Sequence, residues 1–436
     1  MVVSRFVAVR TEVEQGLHRS GTLGVSHGAA LYLGSLIGPG VLLVPALALQ
    51  AAGPASVIGW AALLVLSAPL ALTFAALGAR LPVAGGVAAY VRAGFGDAGG
   101  AVTGGWFLTA VLLGAPAVSL IGGFYVADLT GGGRGVAAAV GLGMFAVVLL
   151  ANALGLRLSS RFQLLLAAVL TLVIATAVAV ALPSQGGRHW TPFAPHGWWA
   201  VGTAANVLVW LFVGWEAVAQ LAGEFREPAT QLPRAMAVAF GAVTILYVGL
   251  AVATVGVSSG SSRVPLADLI GVGFGARGRD ATAVLAVALT MGTMNVYLGG
   301  AAKLAAAQAE RGALPSWLAG DAHRSIPRRP LAVIALIGML LLGALVAGLG
   351  SADGLVRATS ACFIAVYVAA TASATRILAG AARAAALTAF VLVAVLAVFS
   401  AWFLLVPIVS AGVSVALRAR LRGRAPEQAA AADETG

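Results

Sequence analysis

The stretch "YLGSLIGPGVLLVP", Tyr32 to Pro45, lies inside an uncharged hydrophobic run of transmembrane length, yet it carries its own interruption. Gly34, Gly38, Pro39 and Gly40 fall within seven residues of one another. Glycine weakens a helix interior, and proline removes a backbone donor there. A helix written this way unwinds at Ile37–Gly40 and leaves free N–H groups at the start of its second half. Those groups carry partial positive charge and suit a carboxylate.

The remainder of the chain sets the environment of this break. Its 436 residues are 60% hydrophobic and 9% charged, with a mean hydropathy of +0.99. A soluble chain of this length carries far more charge, so the composition is that of an all-α integral membrane protein. The single cysteine, Cys362, excludes a disulfide framework and a cysteine-based metal site. The net charge of +11 arises from arginine, with Lys303 the one lysine, and reads as membrane topology rather than as a nucleic-acid footprint. Residues 1–23 are mixed and read as a cytoplasmic segment without a cleavable signal.

Twelve spans are expected, near 24–52, 56–79, 101–127, 135–153, 162–182, 198–222, 235–257, 281–302, 330–349, 358–375, 384–399 and 402–417. The last two form an uninterrupted run of 34 uncharged residues, Ala384 to Leu417. As one helix that run would extend about 51 Å against a hydrocarbon core of about 30 Å, so a hairpin near Ser400–Trp402 is expected. With the N-terminus inside, 20 basic residues fall on the inner side and 6 on the outer. The positive-inside rule therefore places both termini in the cytoplasm. Residues 418–436 read as a basic, then disordered, cytoplasmic tail.

A second interruption occurs in the sixth span, at "VGWE", Val213 to Glu216, about 176 residues after the first. Glu216 is the one carboxylate this layout places deep in the membrane, where an acid is a functional candidate by default. Paired breaks in corresponding helices of two halves point to a secondary-transporter binding site. The spacing suits two repeats of five helices, 24–182 and 198–375, of opposite topology, followed by 384–417. Freed carbonyls at the sixth-span break suit an ammonium group, so the two breaks together match the ends of an α-amino acid. The competing reading of each break is a packing kink, which membrane helices tolerate. Glu216 itself reads as a proton carrier, a gate partner or a structural staple.

Three pieces resemble the amino acid–polyamine–organocation (APC) superfamily of permeases. "GSLIGPGVLLVP" is similar to its first-helix signature, "LPVAGGVAAYVRAGFG" (Leu81–Gly96) to the loop joining helices 2 and 3, and "FVGWEAVAQLAGEFREPATQLPRA" (Phe212–Ala235) to helix 6 and its loop. Within the superfamily, the nearest pieces resemble bacterial exporters of methionine and branched-chain amino acids. The resemblance implies a five-plus-five inverted-repeat fold with discontinuous helices 1 and 6 in the bacterial cytoplasmic membrane. One residue departs from the signature: Pro39 stands where the family carries Ser or Thr, which removes a hydroxyl and one N–H.

For the substrate backbone the expected contacts are Ser35, Ile37, Gly38, Gly40 and Val41 on helix 1, with Phe212, Val213 and Gly214 on helix 6. The resemblance adds Trp210 and Val213, assigns Glu216 to coupling or gating, and places Tyr297 at a pocket aromatic. "GAPAV", Gly114 to Val118, is expected to line the same cavity, with Thr359, Ser360 and Cys362 as weaker candidates. With no second buried acid and no buried base in this layout, the substrate side chain is expected to be neutral, aliphatic or thioether. Proton coupling is favoured over sodium, for which Thr290 and Thr293 are a weak signal. The expected activity is proton-driven export of neutral L-amino acids, with import by the same fold as the alternative. No cofactor is called for, and the partners are the amino acid, protons and the lipid bilayer. A membrane enzyme would need clustered His, Asp or Glu, whereas the five histidines are scattered.

Overall fold

The computed structural model describes residues 23–81, 86–156, 159–184, 187–219, 225–257, 261–320 and 325–433. Among these there is no strand, and the one β-bridge pairs Leu23 with Phe225. The helices are α1 (Val25–Leu36), α2 (Val44–Ala52), α3 (Ser56–Arg80), α4 (Gly86–Thr130), α5 (Arg134–Ala153), α6 (Ser160–Ala181) and α7 (Trp199–Phe212). They continue with α8 (Trp215–Ala219), α9 (Pro228–Val257), α10 (Pro265–Glu310), α11 (Arg328–Val346), α12 (Ala352–Ile377), α13 (Gly380–Val398) and α14 (Leu405–Asp433).

Among the described residues, eleven helical stretches are long and apolar enough to cross a membrane, against the twelve expected. The difference lies at the opening interruption. With 12 residues, α1 rises about 18 Å, too short to cross a core of about 30 Å. Beyond the break, α2 and α3 count as one stretch, Val44–Arg80, through the short turn at Gly53–Ala55. At the other end, a turn at Ala401–Leu404 separates α13 from α14.

The bundle is most closely packed around α7 and α12, whose apolar windows are 72% and 67% buried, whereas that of α14 is 6% buried. Large apolar side chains such as Leu172, Ile245, Leu340 and Ile408 are more than 60% exposed. Apolar surface left open on this scale matches lipid tails rather than water. Small residues bring the inner helices together: Gly123 of α4 packs against the backbone of Ala137 and Gly141 on α5, where a Cβ would collide.

Several helices extend beyond their expected bounds. The α4 helix runs from Gly86 with a kink at Gly96 (φ +78°), and α10 from Pro265 with a kink at Gly275 (φ +59°). Glycine adopts these angles without the Cβ clash other residues would meet. The loop that the resemblance places after helix 6 is helical from Pro228, because proline is favoured in the first turn of a helix. The tail expected to be disordered continues α14 to Asp433 through an alanine-rich stretch with high helix propensity.

On the face where α4 ends and α10 begins, three charges join the two helices. Arg279 donates through Nη2 to both carboxylate oxygens of Asp128 (3.0 and 2.9 Å) and through Nη1 to Asp268 (2.6 Å). The groups are about one-third exposed or less, so solvent screens part of the attraction. Arg279→Gln is expected to cost about 1 kcal/mol in thermal denaturation. High salt should narrow the gap from the parent protein.

Candidate functional site

Helix α1 ends at Leu36, after which Ile37 (φ −86°, ψ 84°) and Gly38 (φ −114°, ψ −175°) are non-helical. Pro39 to Leu42 then forms a single 3₁₀ turn with Pro39 at its start, a position where the missing N–H is no loss. The second interruption is equally short. α7 ends at Phe212, Val213 is extended (φ −77°, ψ 129°), Gly214 takes φ +139°, and α8 begins at Trp215.

The two breaks touch. A Cβ on Gly214 would lie 2.7 Å from the Ser35 carbonyl oxygen, and one on Gly40 would lie 2.9 Å from Leu211 Cδ2. Ser35 Oγ lies 2.8 Å from the Tyr32 carbonyl oxygen and 3.1 Å from that of Gly214. With a single proton it serves one of them at a time. The hydroxyl expected to reach the substrate carboxylate therefore links the two chain breaks.

Unwinding inside a membrane exposes backbone groups that find no water, so each needs an internal partner. Tyr247 of α9 places its hydroxyl 2.9 Å from the Leu36 carbonyl oxygen and 3.0 Å from that of Leu211, the ends of both first half-helices. Tyr125 of α4 donates to the Leu42 carbonyl (2.9 Å). Glu216, 5% exposed, accepts from the Tyr367 hydroxyl of α12 (2.7 Å) and from the Gly214 N–H (3.1 Å). Its place in the first turn of α8 also matches an anion to the positive end of a helix. This geometry is that of the staple reading: one carboxylate fastens α8 and the break to α12.

Of the N–H groups expected to receive a carboxylate, Gly38 donates to the Leu36 oxygen (3.1 Å) and Val41 to the Gly38 oxygen (3.3 Å). Gly40 occupies the second position of the turn, where a helix start supplies no internal acceptor. A Cβ on Gly38 would meet nothing within 4 Å, so its backbone borders open space. Ile37 and Val41 are buried in the apolar core. Trp210 is partly buried and lies near both Gly40 and Gly114. Phe212 instead packs its ring against Trp60 and Tyr247, at centroid distances of 6.4 and 5.3 Å. Val213 is buried at the break itself. Tyr297 is 40% exposed and lies within electrostatic range of Glu216 and Tyr367.

Thr359 gains weight from the structure. Its side chain lies against Gly114, as does Trp210, and its hydroxyl is buried with no partner among the described residues, as is that of Ser360. Thr290 turns the other way: its hydroxyl bonds to the Ala286 oxygen (2.8 Å) of its own helix and packs on Gly122. Sequence reasoning missed Tyr125, Tyr247 and Tyr367. The signal was the tyrosines themselves, since a buried phenol within an apolar span requires a polar partner. Tyr247→Phe removes the hydroxyl shared by the Leu211 and Leu36 carbonyls and leaves the latter with the Gly38 N–H. It is expected to cost about 1–3 kcal/mol in thermal unfolding, with a matching loss of transport.

Comparison with known proteins gives the family. The profile of the amino acid permease family matches residues 23–419. The chain is 34% identical over 392 residues to the uncharacterized amino acid permease YecA of Bacillus subtilis, covering 88% of this chain and 92% of the relative. It is 30% identical over 356 residues to the L-methionine/branched-chain amino acid exporter YjeH of Escherichia coli, covering 79% and 84%. It is 27% identical over 280 residues to the branched-chain amino acid permease BcaP of B. subtilis, covering 60% and 58%. A polytopic helical chain with two joined helix breaks, matched from residue 23 to residue 419, belongs to the amino acid permease family of the APC superfamily.

Proposed function

We propose that this permease is a secondary transporter of neutral L-amino acids, exporting methionine and branched-chain amino acids by alternating access in exchange for protons. In this reading it has twelve spans, two inverted five-helix repeats and both termini in the cytoplasm of a bacterial cell. Members of the family are transporters rather than enzymes. The observation that carries the proposal is the junction of the two breaks: the Ser35 hydroxyl reaches the Gly214 carbonyl and the Tyr247 hydroxyl lies between the Leu36 and Leu211 carbonyls, beside open space at Gly38. Alternating access needs such half-helices to move about a fixed site.

The side-chain specificity rests on what surrounds the junction. Glu216 is the one charged residue among the buried described residues, and it is engaged by Tyr367 and Gly214. Neither a cationic nor an acidic side chain would find a free counter-charge there. Gly114, Trp210 and Thr359 offer small, apolar and hydroxyl surface instead. The names of the relatives, a methionine/branched-chain amino acid exporter and a branched-chain amino acid permease, agree with methionine and branched-chain substrates. Residues 40–49 of the far half are buried throughout, whereas Leu31, Leu33, Gly34 and Ser35 of α1 are partly exposed. This asymmetry fits a state closed on the outer side.

Flux of labelled methionine, leucine and lysine in proteoliposomes tests the reading. Methionine and leucine are expected to move and to respond to an imposed pH gradient, while lysine stays at background. Absence of flux for every neutral amino acid overturns the substrate class. Flux indifferent to the gradient overturns proton coupling. A sodium gradient in the same vesicles examines the second coupling ion.

A further inference from the structure

The surface cluster with the clearest unmet chemistry lies away from the breaks, at the end of α14. Its origin is the segment "YVRAGFGDAGGAV", Tyr90 to Val102. Gly96, with φ +78°, turns the chain there, and Arg92 folds back over the small face at Gly100. A Cβ on Gly100 would lie 3.0 Å from Arg92 Cβ and 3.1 Å from its Nε. Arg418 of α14 approaches the same place, and Arg311, which caps α10, lies with Arg418 within electrostatic range of Arg92.

Among the described residues, the acid paired with Arg92 and Arg418 is Asp97. It is 3.5 Å from Arg92 Nε and 3.9 Å from Arg418 Nη2, and 63% exposed. Both separations exceed a good charge-assisted hydrogen bond, so the cluster keeps most of its positive charge. Arg418 is 12% exposed, and its Nη1 is buried with no partner among the described residues. A buried guanidinium N–H without an acceptor is costly, and a planar fork of donors matches a phosphate.

Beside the cluster, α4 and α14 leave a cavity of about 200 Å³ lined by Ala98, Ala101, Val102, Ser414, Val415 and Arg418. The α14 wall belongs to the least buried helix of the bundle, so the groove opens sideways to lipid. Charge at one end and apolar surface along the other, at a helix end, is the pattern of an amphiphile lying parallel to the bundle.

We propose that this groove binds an anionic phospholipid, its phosphate on Arg92, Arg311 and Arg418 and one acyl chain between α4 and α14. The site lies on the face that carries α14's basic end, which in the proposed topology is the cytoplasmic leaflet. It is separate from the substrate reading and stands whether or not that reading holds.

The test uses the full-length protein in detergent, with retained lipid measured by native mass spectrometry after addition of equal phosphatidylglycerol and phosphatidylcholine. Phosphatidylglycerol is expected to be retained selectively. Arg418→Gln and Arg311→Gln should each lower its retention about fivefold, from the contribution of one basic residue at an anionic surface. Arg420→Gln removes the same charge from the same helix, on an exposed position about 200° around from Arg418, and should leave retention unchanged. Should Arg418→Gln fail to fold, Arg311→Gln, at an exposed helix end, reads the same site. Equal retention of the two lipids, or equal losses from the Arg420 and Arg418 variants, overturns the site. Full displacement by soluble glycerol phosphate overturns the lipid assignment in favour of a free phosphate monoester.

Discussion

Replacing Gly214 with alanine is expected to abolish transport and to lower the thermal midpoint, although the change adds only one methyl group. Two constraints act together. The residue sits at φ +139°, a region that side-chain-bearing residues populate only at a cost of about 1–3 kcal/mol. The added Cβ would also lie 2.7 Å from the Ser35 carbonyl oxygen, a backbone atom that no rotamer change can move aside. Relieving the clash separates the two breaks and removes the Ser35–Gly214 contact. The matched control is Gly38→Ala. Gly38 has φ −114° and no atom within 4 Å of the new methyl, so the stability should stay within about 1 kcal/mol of the parent. In the proposed reading that methyl enters the substrate space, so apparent affinity should fall while the protein folds normally. A Gly214 variant as stable and active as the Gly38 variant would contradict the junction described here.

The second large effect concerns Glu216 and Tyr367. Tyr367→Phe removes the 2.7 Å donor and leaves a buried carboxylate with the Gly214 N–H. Losing one partner of a buried charged group is expected to cost about 3 kcal/mol, seen as a lower thermal midpoint and reduced flux. Glu216→Gln retains a carbonyl oxygen for both donors and should fold, with a much smaller stability loss. The pair of variants separates structure from coupling. If the carboxylate carries the proton, the Gln variant still exchanges substrate but loses its response to a pH gradient. A Gln variant with the parent's pH response would leave Glu216 as the staple that its contacts describe.

Both experiments depend on residues that differ in how far the sequence exposes them. The glycines and Pro39 were readable at once, because their backbone chemistry is local: a proline or a cluster of glycines interrupts a helix wherever it folds. Glu216 was readable because a carboxylate in an apolar run demands an explanation. Tyr367 and Tyr247 were not. Each looks like an ordinary aromatic residue in its own span, and its partner lies 151 or 211 positions away along the chain. Thr359 was named from the sequence only as a weaker candidate, because its interest depends on Gly114 of another helix.

By itself the sequence determined that this protein lies in a membrane, that its chain is helical and that two spans are broken, since hydropathy and backbone propensity act over a few turns. It also carried the family, through short motifs at those breaks. Only the tertiary structure decided what the breaks do for one another: that Gly214 must be bare, that Ser35 faces a carbonyl, and that Glu216 is held by a tyrosine from α12. These follow from close packing and from the need of every unwound backbone group for a partner in a medium without water. That need is met across the bundle, at distances along the chain over which no local pattern extends.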